Sequence, residues 1–222
     1  MGDLEPTRWA AMVLCGGQSR RMGRPKAWLP FGAEPMIVRV LRILQEVSRF
    51  ETLLVVAAPQ QELPPLPSGI HLVRDAVPGR GPLEGVATGL AALQEMNSDR
   101  NWASYVTSCD VPLLQPAFIE AVCQRLQSAS IAVPVETAFP HPLAAAYRIT
   151  VLDVMRQLLE RGEFRPRALF SLVPTVFIPV EELREVDPKL FSLKNINTPQ
   201  DYYWALTTAG FTPSQTSTED GY

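Results

Sequence analysis

The run Ala10-Ala11-Met12-Val13-Leu14-Cys15-Gly16-Gly17-Gln18-Ser19-Arg20-Arg21-Met22-Gly23-Arg24-Pro25-Lys26 starts as an unbroken apolar segment and ends as a glycine-opened cationic loop. A short continuous apolar run bounded by glycine reads as a strand buried on both faces. Similar runs recur at Leu53–Ala58, Ile70–Val73, Trp102–Thr107, Ile131–Val135, Leu143–Tyr147 and Val173–Val180. Helical spacing lies between several of them: Met36–Val47, with Ile37, Val40, Leu41 and Leu44 on one face, then Leu83–Met96, Pro116–Leu126, Thr150–Leu159 and Pro199–Thr207. Strands alternating with helices predict an α/β fold, a single three-layer α/β/α domain around a mainly parallel sheet.

The chain has 222 residues, a length that suits one α/β domain. We place that domain at residues 1–210. The Ser/Thr-rich segment Phe211–Tyr222 lacks periodicity and is expected to form a frayed, dispensable tail. With 46% hydrophobic and 19% charged residues the chain can build a core. A net charge of -3 gives no general basic surface for nucleic acid, so any electrostatic signal must be local. Cys15, Cys109 and Cys123 form neither a disulfide framework nor a zinc pattern, which fits a reducing compartment. The start, Met1-Gly2-Asp3-Leu4-Glu5-Pro6, lacks a signal-peptide pattern, and no apolar run is long enough to cross a membrane; a soluble cytoplasmic protein is expected.

Adjacent glycines at a strand end let backbone N–H groups approach a ligand closely. Arg20, Arg21, Arg24 and Lys26 then bring four cations within seven positions, a density suited to a triphosphate. A flexible basic loop would look the same. The spacing matches neither a Walker A loop nor a dinucleotide fingerprint. In a second segment, Tyr105-Val106-Thr107-Ser108-Cys109-Asp110-Val111-Pro112, a strand ends in an acid. Ligands of open α/β sheets bind beyond the strands' carboxyl ends, so Asp110 and Gly16-Gly17 should face one crevice. A carboxylate facing phosphates implies Mg²⁺ between them, while the alternative is a turn or helix cap.

In Lys194-Asn195-Ile196-Asn197-Thr198-Pro199-Gln200-Asp201, Thr198 reads as an N-cap with Pro199 at the first helical position. Asn195 and Asn197 share a face if extended, as metal or ligand contacts or as turn residues. Asp75 and the loop Gly79-Arg80-Gly81-Pro82-Leu83-Glu84-Gly85 enter another helix, an arrangement open to a polar ligand. His141 falls between prolines and His71 in an expected strand, both readable as structural residues. Cys109 reads as packing.

Taken together, four segments in order resemble the molybdenum cofactor guanylyltransferases, a family within the nucleotide-diphosphate-sugar-transferase-like nucleotidyltransferases. They are Leu14-Cys15-Gly16-Gly17 through Lys26, Asp75 with Gly81-Pro82-Leu83-Glu84-Gly85, Cys109-Asp110-Val111-Pro112, and Asn195-Ile196-Asn197-Thr198-Pro199. The resemblance implies transfer of GMP from GTP to molybdopterin with release of pyrophosphate, and delivery of the product to molybdoenzyme apoproteins or their chaperones. It implies that Leu14, Cys15, Gly16 and Gly17 line the nucleotide, that Lys26 and Arg21 act on the phosphates, and that Asp75 and Gly81 contact nucleotide. Asp110 would bind Mg²⁺, with Asn197 toward the metal and the pterin. Pro25 stands where members often carry Asp, and Ala57-Ala58 where they often carry a nucleotide-touching asparagine. A cytidylyltransferase and a non-catalytic nucleotide-binding delivery module are the competing readings. His141 and Arg165 are candidates on the acceptor side.

Overall fold

The computed structural model describes residues 7–16, 24–75, 77, 79–97 and 101–212. In chain order the elements are β1 (Arg8–Leu14), β2 (Pro30–Phe31), β3 (Glu34–Pro35), α1 (Met36–Gln45), β4 (Thr52–Ala57), β5 (Ile70–Arg74), α2 (Gly81–Met96), β6 (Trp102–Ser108) and α3 (Pro116–Gln124). They continue with β7 (Ile131–Glu136), β8 (Phe139–Pro140), β9 (Ala145–Arg148), α4 (Leu152–Glu160), β10 (Thr175–Pro179), α5 (Val180–Leu183) and α6 (Pro199–Thr208).

The main sheet has the order β10-β7-β9-β6-β1-β4-β5, with β8 paired to β7. Pairs β1·β6, β1·β4, β4·β5 and β10·β7 are parallel, while β9 runs antiparallel to both β6 and β7. Residues alternate across β1: Trp9, Ala11, Val13 and Cys15 face the layer containing α1 and α3, whereas Ala10, Met12 and Leu14 face α2 and α4. A strand in the middle of a three-layer fold must be apolar on both faces, so the run at residues 10–14 has no polar alternation. Each helix buries one stripe. In α1 this comprises Met36, Ile37, Val40, Leu41, Ile43 and Leu44, and full burial of each such side chain contributes about 1.5–3 kcal/mol.

Two connections differ from the sequence reading. The apolar run ending at Val180 divides, because Pro179 ends β10 and caps the short helix α5. The segment from Thr150 opens with a 3-10 turn, Ile149–Val151, before α4. A small hairpin, β2·β3, was also not legible in advance. His71 lies exposed on the edge strand β5. Among the described residues no helix is long and apolar enough to cross a membrane.

A third cluster joins the β2·β3 hairpin to α6 through Leu29, Phe31, Met36, Leu113, Ile196, Ala205 and Leu206. Helix α6 starts on a capping box, with the Thr198 hydroxyl accepting from the Asp201 N–H and the Asp201 carboxylate accepting from the Thr198 N–H. It stops at Gly210, whose φ of +81° turns the chain so that the Phe211 N–H donates to the Leu206 carbonyl. The Phe211 ring then meets Phe31 edge-on at 5.6 Å between centroids, and the Arg39 guanidinium lies over it. The tail boundary expected at Phe211 is therefore corrected at that residue, which docks on the core; residues 213–222 lie outside the described set. Gly32, at φ +69°, leaves room for this ring, since a Cβ there would lie 2.6 Å from it.

Phe211→Ala should lower the melting temperature by about 2–6 °C, the loss of a partly buried aromatic in a chain of this size. Gly32→Ala should destabilise the wild type but cost less in the Phe211→Ala background, where only the backbone strain remains. Equal costs in both backgrounds, measured by denaturant melts, would show that the ring is not seated on Gly32.

Candidate active site

The carboxyl edge of the sheet collects Leu14-Cys15-Gly16 after β1, Ala58 to Gln61 after β4, Asp75 after β5 and Asp110 after β6. All line one open cavity of about 1470 Å³, together with Arg24, Lys26, Gly81 and Asn195. This is the edge where the topology of an open α/β sheet places ligands. The volume exceeds that of a typical small-molecule site, about 300–1,000 Å³.

At one end Lys26 Nζ donates to Asp110 Oδ2 at 2.7 Å and to Asn197 Oδ1 at 2.9 Å. The ion pair is largely desolvated, with the side chains 18% and 13% exposed. Asp110 Oδ1 accepts from the Ser108 hydroxyl and from Asn195 Nδ2, the latter at 2.8 Å. Backbone geometry sets this cluster: the Ile196 N–H donates to the Asp110 carbonyl at 2.8 Å, and the Ile196 side chain is fully buried. Asn195 and Asn197, on either side of it, both reach the cluster. The shared face inferred from their spacing is present. The direct contact between Lys26 and Asp110 was not foreseen, because the sequence assigned them separate targets. Asp110 does not cap α3; the residue before that helix is Gln115, which caps it with no side-chain bond.

At the other end the Asp75 carboxylate stands over Gly16, where a Cβ would come within 3.9 Å of Oδ2. Its Oδ1 is buried without a hydrogen-bond partner among the described residues. Burial raises the Asp75 pKa, nearby Glu84 adds to the rise, and a hydrogen bond with Thr88 opposes it. Gly85 and Gly89 bring α2 close to the strand: a Cβ on Gly89 would lie 2.6 Å from Met12 Sδ. Gly81, at φ +71°, opens the helix at the cavity wall.

Gln61 was missed by sequence reasoning. Its Nε2 donates to the Cys15 carbonyl at 2.9 Å, and its Oε1 accepts from the Ala58 N–H at 3.2 Å. Cys15 and Cys109 are both buried in the cavity floor; a hydrogen bond between their thiols and burial push the Cys15 pKa up, as expected of packing residues rather than nucleophiles. His141 is half-buried, with its pKa lowered chiefly by burial. Arg165 pairs with Glu163 at 2.7 Å on the surface. Neither lines the cavity, although Leu143, two residues after His141, does. Gly17, Arg20 and Arg21 lie outside the described residues.

Residues 11–175 match the MobA-like NTP transferase domain family. A probable molybdenum cofactor guanylyltransferase of Methanosarcina mazei is 32% identical over 201 residues, covering 86% of this chain and 87% of that protein. One from Mycobacterium tuberculosis is 36% identical over 193 residues, covering 83% and 90%. Among solved structures, the molybdopterin-guanine dinucleotide biosynthesis protein A of Archaeoglobus fulgidus superposes with a TM-score of 0.71 at 24% identity, covering 90% of this chain and 98% of that one. The 2-C-methyl-D-erythritol 4-phosphate cytidylyltransferase of Thermus thermophilus follows at 0.64 and 17%, covering 90% and 98%. At those identities the two structures speak for the fold alone. The expected α/β/α architecture thus recurs in nucleotidyltransferases of known structure, and by its own sequence the chain belongs to the MobA-like NTP transferase family.

Proposed function

We propose that the protein transfers GMP from GTP to the terminal phosphate of molybdopterin, releasing pyrophosphate and forming the guanine dinucleotide cofactor. The observation that carries this reading is the polarity of the cavity. Lys26, held at Asp110 after β6, offers a cation suited to a triphosphate, and the Asp75 carboxylate stands three strands away after β5. Guanine presents two adjacent donors, N1–H and the 2-amino group, which a carboxylate accepts together.

In this reading Leu14, Cys15 and Gly16 line guanine and ribose, Gly17 contacts the nucleotide, and Gly81 closes the wall at the start of α2. Lys26 holds the phosphates and Arg21 offsets charge on the departing pyrophosphate. The acceptor phosphate is already an anionic nucleophile, so no strong general base is required. In-line attack on the α-phosphorus needs positioning and charge neutralisation without a covalent enzyme intermediate.

The residues present fit Mg²⁺. Asp110 Oδ2 and Asn197 Oδ1 are hard oxygen donors that converge on a cation, at present the Lys26 ammonium. Among the described residues no cluster of three or more His, Cys, Asp or Glu could hold a metal. Phosphate oxygens and water would complete the shell, as Mg²⁺ favours. Bound there, the ion would supply neutralisation of phosphate charge. Asp110 and Asn197 would orient it, while Lys26 would move from Asp110 to the phosphates.

Asp110→Asn should lose about a hundredfold to a thousandfold in turnover, with GTP binding less responsive to Mg²⁺. Lys26→Ala should weaken GTP binding even without metal. Pyrophosphate release with molybdopterin checks both, and near wild-type transfer by Asp110→Asn with an unchanged Mg²⁺ requirement would refute the assignment. GTP should be turned over in preference to CTP; equal turnover would remove the guanine reading. Asp75→Asn should bind GTP about tenfold or more weakly while melting no lower than wild type, because the folded protein already disfavours that buried charge. Calorimetry and thermal melts separate the two effects.

A further inference from the structure

We infer that Gln61 is a specificity-determining residue, its side-chain amide donating to the 6-oxo group of the guanine that Asp75 holds by its donor edge. The inference rests on the guanine reading above and assigns a second half to it. Gln61 lies in the loop after β4 and lines the cavity beside Asp75 and Gly16.

Four hydrogen bonds fix its side chain and its loop. One Nε2 hydrogen goes to the Cys15 carbonyl, and Oε1 holds the Ala58 N–H. From β5, Arg74 donates to the carbonyls of Ala58 at 2.9 Å and Gln61 at 2.6 Å, bracing the turn between them. The next residue, Asp75, is tied to the same strand end by its N–H to the Ala57 carbonyl at 2.9 Å. Gln61 and Asp75 therefore reach the Cys15–Gly16 peptide from one rigid pair of strand ends. The amide orientation follows from this network, since only the nitrogen can face the Cys15 carbonyl.

An amide nitrogen carries two hydrogens, and one is committed to Cys15. The second has no protein acceptor among the described residues. The Asp75 carboxylate lines the same cavity, with Oδ2 over Gly16. A donor and a carboxylate acceptor lining one cavity complement the guanine edge, which reads acceptor, donor, donor from O6 through N1 to the 2-amino group. Cytosine and adenine both present a donor where Gln61 also offers one. Gly16 adds no side chain to the floor between the two readers.

The test measures binding of GTP, ITP and 6-thio-GTP to the full-length protein by calorimetry. ITP lacks the 2-amino group, and the thione of 6-thio-GTP is a poor acceptor in place of O6. The wild type should bind GTP more tightly than 6-thio-GTP by about threefold to tenfold, the range of one hydrogen bond. Gln61→Met, which keeps length without polarity, should bind GTP and 6-thio-GTP equally yet still discriminate against ITP. Asp75→Asn should show the reverse pattern. If Gln61→Met weakens GTP, 6-thio-GTP and ITP by one common factor, Gln61 is only a strut for the loop and the inference is overturned. If the wild type binds CTP as tightly as GTP, the guanine reading itself fails, a result distinct from the first.

Discussion

One ammonium group, Lys26 Nζ, joins three parts of the chain that are far apart in sequence. It contacts Asp110, 84 residues away, and Asn197, 171 residues away. For the contact to exist, β1 and β6 must pair so that their carboxyl ends are level, as the register Leu14 with Ser108 makes them. The segment before α6 must also lie along Asp110, which the Ile196 N–H and the buried Ile196 side chain enforce. The third apolar cluster and the capping box of α6 fix that segment from behind. The segment leading into α6 thus serves to aim Asn195 at the Asp110 carboxylate and Asn197 at the Lys26 ammonium. A partly buried ion pair adds little net stability by itself, but loss of one partner costs several kcal/mol by leaving a desolvated charge. The pair therefore constrains the fold more than it stabilises it.

What was legible in the sequence is what local pattern encodes. The seven apolar runs all contain strands; the central ones are covered on both faces and admit no polar alternation, whereas the edge strands β5 and β10 are largely exposed. The helices appeared where apolar residues recur at helical spacing, and Thr198-Pro199 with Asp201 announced a cap whose geometry is almost entirely local. The strand-end positions of Asp110, Gly16 and Asp75 followed from topology. The antiparallel insertion of β9 did not, because the run Leu143–Tyr147 carries no mark of direction.

Contacts that join distant segments left no local trace. Phe211 stands in a polar, aperiodic segment, and its partner Phe31 is on a hairpin near the other end of the chain. Gln61 follows Pro59-Gln60 in a proline-rich connection that reads as surface loop. Its significance comes from Arg74 and from the Cys15 carbonyl, neither of which a pattern search would pair with it. The absent asparagine at Ala57-Ala58 was the one available signal: a lost polar group at a strand end raises the question of which nearby amide faces the same space.

The cavity also explains why Lys26 and Asp110 bind each other when each was expected to serve a separate ligand. Two opposite charges at the edge of a low-dielectric floor would each be costly if desolvated alone. Paired, they neutralise one another without any ligand. A nucleotide triphosphate carrying a divalent ion offers negative oxygens to the lysine and positive charge to the aspartate, so the pair can open by exchanging one set of counter-charges for another. Asp75 at the far end has no such internal partner, and its burial holds its carboxylate against its preferred charge. In the proposed reading the two ends would bind by different physics: exchange of an existing ion pair at the phosphates, and hydrogen bonding to a carboxylate without an internal counter-charge at the base.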